Sequence, residues 1–287
     1  MSHSVVENKK EIFMGYRDDF IEQGYVLLEG AIDDELLADL RVAVQPLHKE
    51  LEAGKASSYR KQTVLKPDVF HRAYIDFLNL EIYNEAAHEI LEDDDPMFSG
   101  QACLTGSLEQ RICGWHRDFA DNNPEMPELL TMPNSCIQTN CAIYDDESLW
   151  IIPGSHSRPT NKEERDYQAK FEGLGFVDLK EEYLARDESI PGSMPGAMHA
   201  KLKAGDCLLY NPFLWHAAEY RPEWKRATLC GGFKPVPFVH RFKNLRWGLP
   251  HNPWCQEPEY MGDLGTYFGP GMKHYCEMAL EYPDGPA

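Results

Sequence analysis

The chain has 287 residues and a net charge of −19, and so acidic a protein is repelled by phosphate backbones and anionic membrane surfaces, which disfavours nucleic acid and membrane partners. Its 43% hydrophobic and 11% aromatic content fits a globular protein with a sizeable core, and no apolar run approaches the length of a bilayer span. The N-terminal MSHSVVENKKEIF lacks the apolar stretch of a signal peptide, so a cytoplasmic location is expected. Eight cysteines are present without any C-x-x-C pair, and several sit in apolar strand-like runs (NCAIY, DCLLY, TLCGGF). Reduced, buried thiols are therefore expected, with no zinc ribbon. The basic clusters at Arg60–Lys61 and at Arg241, Lys243 and Arg246 read as solvated surface.

In chain order, the segment from Gly15 to about residue 30 predicts a short helix with Phe20 and Ile21 as its apolar pair, running into a strand at GYVLLEG. A second helix follows. Asp33 or Asp34 is its N-cap, Leu36, Leu37, Leu40, Val42 and Val44 are its apolar stripe, and Gly54 is its stop. Residues 68–95 keep an apolar spacing of three to four and read as mostly helical, with His71 and His88 as helix-surface or satisfied core histidines. From about residue 97 short β-like runs alternate with Gly, Pro and Asn, the signature of a sandwich or barrel. A polar stretch from about 157 to 200 is long for a β connection and reads as a lid or binding loop. The tail from 243 to 287 is expected to end in a helix near GMKHYCEMALEY. The whole chain is taken as one domain: a helical part to about 95, a β core from about 97 to 240 interrupted by the 157–200 insertion, and the tail.

Chemistry concentrates at two places. CGWHRDFADNN carries His116 and Asp118 two residues apart, and on a strand such residues share a face. About a hundred residues on, NPFLWHAAEY supplies His216, and Arg226 follows ten residues later. If the two histidines and the aspartate meet, they form a facial triad with open positions, the ligand set of non-haem Fe(II) oxygenases. Arg226, a planar bidentate donor, then suits a carboxylate that does not touch the metal. Arg221 is its competitor for that role, and a surface ion pair of Arg226 with Glu219 or Glu223 is the plainer alternative. Trp115 and Trp215 each precede a candidate ligand and read as core packing, with a pocket wall as the second reading.

Four motifs give the chain a resemblance to the phytanoyl-CoA dioxygenase family of Fe(II)- and 2-oxoglutarate-dependent oxygenases: DDFIEQGYVLLEGAIDDELLADLR, GWHRD at 114–118, LWIIPGSHSRP at 149–159, and GDCLLYNPFLWHAAEYRPEWKRATL at 205–229. The resemblance implies a mainly β fold with flanking helices, a double-stranded β-helix or jelly roll, with the metal in its mouth. It implies Fe(II), 2-oxoglutarate and O₂ as cofactors, a small organic substrate, and oxidative decarboxylation to succinate and CO₂ coupled to hydrogen abstraction. It places His116, Asp118 and His216 as metal ligands and catalytic centre, and Arg226 at the distal carboxylate of 2-oxoglutarate. Related halogenases replace the ligand carboxylate by Gly or Ala, so Asp118 favours hydroxylation or another outcome of hydrogen abstraction.

The chain departs from the family pattern at Ala218, where a serine that helps hold the distal carboxylate is common; Thr228 is the substitute considered. Gln138 and Asn140 alternate with apolar residues and are candidates for facing the co-substrate, as is Lys61, or Lys66, from the helical part. The segment YDDE before SLWIIPGSH reads as a short loop, and His156 as a turn or capping residue. The insertion and the aromatic tail are expected to shape an apolar pocket for a natural-product-like substrate. A non-catalytic β-helix protein binding a small ligand or a redox-inert metal is the alternative to the oxygenase.

Overall fold

A computed structural model describes residues 15–54, 60–61, 63–118, 123–170, 176–178, 190–242, 254 and 257–281. Helix α1 (Tyr16–Gln23) ends at Gly24, whose φ of 82° lets the chain turn into strand β1 (Tyr25–Leu28). A Cβ at that glycine would lie 2.5 Å from His156 Nδ1, so the turn needs glycine for space as well. Helix α2 (Asp34–Glu52) is capped by Asp33, which accepts from the Leu36 amide. Leu37, Leu40 and Val44 of the expected stripe are buried, with Leu36 partly so; Val42 is 55% exposed and Ala43 and Leu47 take the inner face instead. Helices α3 (Arg72–Leu78) and α4 (Glu81–Leu91) complete the first helical group. His71 caps α3 by accepting from the Ala73 amide, and the His88 ring lies against Tyr267.

Between α2 and α3 lies β2 (Arg60–Lys61), and then come β3 (Met97–Phe98), β4 (Ala102–Leu104), β5 (Arg111–His116), helix α5 (Met126–Leu129), β6 (Ile137–Ala142) and β7 (Asp146–Ile151). Helix α6 (Lys162–Lys170), β8 (Phe176–Asp178), β9 (Met198–Leu202), β10 (Cys207–Tyr210), β11 (His216–Tyr220) and β12 (Thr228–Lys234) follow, then helices α7 (Val236–Phe242) and α8 (Phe268–Glu281).

The strands form two antiparallel sheets: β1-β10-β6-β12-β4-β2, with β3 also on β12, and β8-β5-β11-β7-β9. Alternation decides what each face meets. Ile137, Cys141, Cys207, Leu209 and Leu229 of the larger sheet pack with Leu40, Tyr74, Phe77 and Tyr83 of the helices and with Phe268, Met272 and Tyr275 of α8. The opposite face, through Ala142, Leu208 and Tyr210, meets Leu149, Ile151, Ala200 and Leu202 of the smaller sheet. This is the mainly β jelly roll with flanking helices that was expected.

Two expectations need correction. The 157–200 stretch is not only a loop: it contributes α6 and puts β8 beside β5 and β9 beside β7, at the two edges of the smaller sheet. Its Tyr167 and Met194 pack on Trp115 and Trp215 in a cluster apart from the inter-sheet core. The described part of the tail likewise joins the helical layer behind the larger sheet. Residues 171–175 and 179–189 of the insertion, and Lys243 and Arg246 of the tail, lie outside the described residues. All seven described cysteines are free thiols, six of them buried, and Cys255 lies outside the described residues. Among the described residues no helix is long and apolar enough to cross a membrane.

Candidate metal centre

His116 ends β5 and His216 begins β11, and the two are register partners. Ala218 then faces Cys113, so three steps along β5 match two along β11. The extra residue is a β-bulge, which re-aims side chains locally. It lets Cys113 and His116 both approach the β11 inner face while Trp115 turns to the outer cluster, where its indole donates to the Pro191 carbonyl at 3.1 Å. Both tryptophans are thus packing residues of the outer cluster.

Asp118 does not sit on the strand. It lies in a bend beyond the end of β5, held by its amide donating to the Pro212 carbonyl at 3.0 Å. His116 and Asp118 therefore meet as expected, but through the bend after β5 and not by sharing a strand face. Asp118 Oδ1 is 3.8 Å from the Nε2 atoms of both His116 and His216. The three candidate ligand atoms all lie within 4.8 Å of one another.

The histidine tautomers are fixed from behind. Nδ1 of His116 is 2.8 Å from the Gly114 carbonyl, and Nδ1 of His216 is 2.8 Å from the Leu214 carbonyl. A carbonyl only accepts, so each Nδ1 carries the proton and each Nε2 keeps its lone pair. Tyr210 meets the His216 ring edge-on at 5.5 Å, and its hydroxyl accepts from the Gln138 amide at 2.6 Å. Two imidazole nitrogens and a carboxylate oxygen converging in this way fit a divalent first-row metal with open positions.

The remaining predicted residues separate by strand register. Thr228 pairs with Ala142, Cys230 with Asn140 and Gly232 with Gln138, so all six share the face that looks toward the smaller sheet. Gln138 and Asn140 therefore point into the barrel, and Asn140 keeps a buried amide oxygen without a hydrogen-bond partner. Arg226 is 3% exposed and sits on the same inner phase, two residues before Thr228. Its pairing is not with Glu219 or Glu223. Its Nε donates to Asp146 Oδ2 at 2.8 Å, Thr228 donates to the same carboxylate, and the Arg226 Nη1 amino group is buried without a partner. Arg221 pairs with Glu219 at 2.9 Å and stacks on Trp224, which removes it as a competitor. Lys61 is on β2 at the far edge of the larger sheet, and its side chain lies outside the described residues.

Asp146 was missed in the sequence because YDDE looks like a surface loop. It is the first residue of β7, and a register shift between Asp146 and Leu149 hides the alternation that would have revealed it. Burial pushes its carboxyl up, and the Arg226 cation with the Ser148 and Thr228 hydrogen bonds more than reverses this, so it ionises below the usual carboxylate range. His156 is the turn residue expected: it sits in a short 3-10 turn, Nε2 donates to the Ile21 carbonyl at 3.1 Å, and burial pushes its pKa down to about 4.

Solved structures of the same fold include AviO1 from Streptomyces viridochromogenes, with 14% identity and a TM-score of 0.54 over 76% of this chain and 93% of that one. EctD from S. alaskensis, solved with 2-oxoglutarate and 5-hydroxyectoine, gives 18% and 0.52 over 82% and 80%. HygX from Streptomyces hygroscopicus, solved with nickel and 2-oxoglutarate, gives 14% and 0.51 over 76% and 86%. No curated protein sequence is significantly similar. Residues 20–221 match the Phytanoyl-CoA dioxygenase (PhyH) family, and the chain belongs to that family of Fe(II)- and 2-oxoglutarate-dependent oxygenases.

Proposed function

We propose that the protein hydroxylates a small organic molecule, or oxidises it by another route that starts with hydrogen abstraction, at an Fe(II) held by His116, Asp118 and His216. The observation that carries this reading is the pair of Nδ1 anchors: both histidines are locked as Nε2 donors around one carboxylate oxygen. When bound, iron and 2-oxoglutarate supply the O₂-dependent oxidation, with succinate and CO₂ as co-products. The chain's own residues do the rest. The Gly114 and Leu214 carbonyls fix the orientation of the two imidazoles and turn each Nε2 lone pair toward the metal position. The Asp118 carboxylate offsets one charge of the metal. Arg226 Nη1, a buried donor group left without a partner in a packed interior, supports the anionic 2-oxoglutarate as the guest on the inner barrel face, whereas the orphaned Asn140 oxygen is an acceptor and does not pair with a carboxylate. Gln138 holds Tyr210 and so sets the wall beside His216. Thr228 does not replace the missing serine as a free hydroxyl, because it donates to Asp146.

EctD was solved with 5-hydroxyectoine, and that likeness supports hydroxylation of a small polar or apolar metabolite as the reaction class. The test is an anaerobic titration of metal-free protein with Fe(II) and then 2-oxoglutarate, watching for the visible charge-transfer band of the chelate. The band is expected in the wild type and absent in Asp118→Ala and His216→Ala. Iron binding without a band would remove 2-oxoglutarate from the reading, and no iron binding would leave a ligand-binding protein in its place.

A further inference from the structure

Arg226 meets its partner inside the protein itself. Its Nε lies 2.8 Å from Asp146 Oδ2, and the two side chains are 4% and 2% exposed. Asp146 is saturated. Oδ2 also accepts from the Thr228 hydroxyl, and Oδ1 accepts from the Ser148 amide at 2.9 Å and from the Ser148 hydroxyl. Four donors fix this carboxylate, and none can be given up without stranding a buried polar group. The guanidinium lies over the Tyr220 ring at 5.0 Å and is hydrogen-bonded to the Tyr220 side chain, while its Nη1 amino group remains buried with no partner. Ala218, opposite Cys113 on the inner face, adds no hydroxyl.

A buried cation whose charge is already matched attracts a second anion weakly. An incoming carboxylate at Nη1 meets the field of Asp146 together with that of Arg226, in a medium where both are screened less than in water. We propose that Asp146 is a specificity-determining residue of the co-substrate pocket: by neutralising Arg226 it leaves the Nη1 amino group but little net charge for the distal carboxylate of a 2-oxo acid, so the pocket discriminates weakly between 2-oxo acids with and without that carboxylate. This rests on the reading of the site as a 2-oxo acid site. It assigns to Asp146 a part that the arginine alone does not predict, since an unpaired arginine in the same place would select strongly for a dianion.

The test compares 2-oxoglutarate with 2-oxopentanoate, which has the same carbon chain and no distal carboxylate. Each is titrated anaerobically into Fe(II)-loaded protein, and the dissociation constant is read from the chelate band. The wild type is expected to prefer 2-oxoglutarate by about tenfold or less, a difference of about 1.4 kcal/mol. In Asp146→Asn, 2-oxoglutarate is expected to bind about tenfold or more tightly than in the wild type, with 2-oxopentanoate unchanged. A wild-type preference beyond about a thousandfold overturns the proposal without recourse to any variant. An equal change for both ligands in Asp146→Asn assigns Asp146 a structural role only, and a selective weakening of 2-oxoglutarate makes it an orienter of Arg226; either result overturns the proposal. A wild type that binds Fe(II) and gives a band with neither acid fails earlier, at the reading of the site, and takes this inference with it.

Discussion

Replacing Arg226 with methionine keeps most of the side-chain volume and removes one partner of a buried ion pair. Asp146 stays behind, 3% exposed, with only the Thr228 and Ser148 donors. Stranding one member of a buried pair costs about 3–5 kcal/mol. The pH dependence follows from the sign of the carboxyl's shift. In the wild type the Asp146 pKa is lowered on folding, so its contribution is present above the unfolded value of about 3.9 and is lost as pH falls through the folded value. In Arg226→Met the opposing cation is gone and burial pushes the carboxyl above its unfolded value. That variant therefore gains stability as pH falls from neutrality toward about 4. Urea denaturation of the metal-free proteins, followed by far-UV circular dichroism, should show a gap of about 3–5 kcal/mol at neutral pH that narrows near pH ~4.5. A gap below about 1 kcal/mol, or one that widens in acid, would refute the buried-pair reasoning.

Gly232→Ala should destabilise the protein by about 1–3 kcal/mol, because the added Cβ would stand 2.1 Å from the Ile137 carbonyl oxygen; an unchanged melting temperature would show that β6 and β12 can separate there at no cost. Glu92 holds a φ of 53° at the C-cap of α4, so Glu92→Gly should raise stability by about 0.5–1 kcal/mol in spite of losing its exposed pair with Arg17, as read by thermal unfolding. Burial keeps His156 neutral down to about pH 4, so folding loses about 3 kcal/mol between pH ~6.5 and ~4 that a His156→Asn protein should keep; parallel pH profiles for the two proteins would contradict this.

The helices and strands were legible because their signals are local. Asp33 caps where a cap was expected, Gly24 and Gly154 turn at positive φ, and the apolar runs CLLY and TLCGGF mark buried strands. Val42 broke the stripe because α2 turns a neighbouring Ala43 inward, a choice that the angle of packing makes and composition does not reveal. The triad was legible as residue types at a spacing, although the bulge at β5 and the bend that holds Asp118 were not. Asp146 was the least legible feature. Its partner is 80 residues away, its strand changes phase after it, and an acidic pair before a polar residue looks like solvent-facing chain. The insertion was only partly legible for a related reason: its length suggests a lid or binding loop, and nothing local shows that its Tyr167 and Met194 join an outer apolar cluster that only tertiary packing creates.

The placement of β8 has a consequence for how the protein keeps to itself. Without it, β5 would be the outermost strand of its sheet, and a bare row of amides and carbonyls beside the candidate ligand His116 invites pairing with another chain. Three residues, Phe176–Asp178, occupy that row opposite Arg111–Cys113. The new border is short, and short borders make poor templates for intermolecular strand addition. The insertion thus acts as a selvedge: it finishes the cloth on the side where fraying would reach His116, and shortening it should be felt first as self-association, before any change in the choice of substrate.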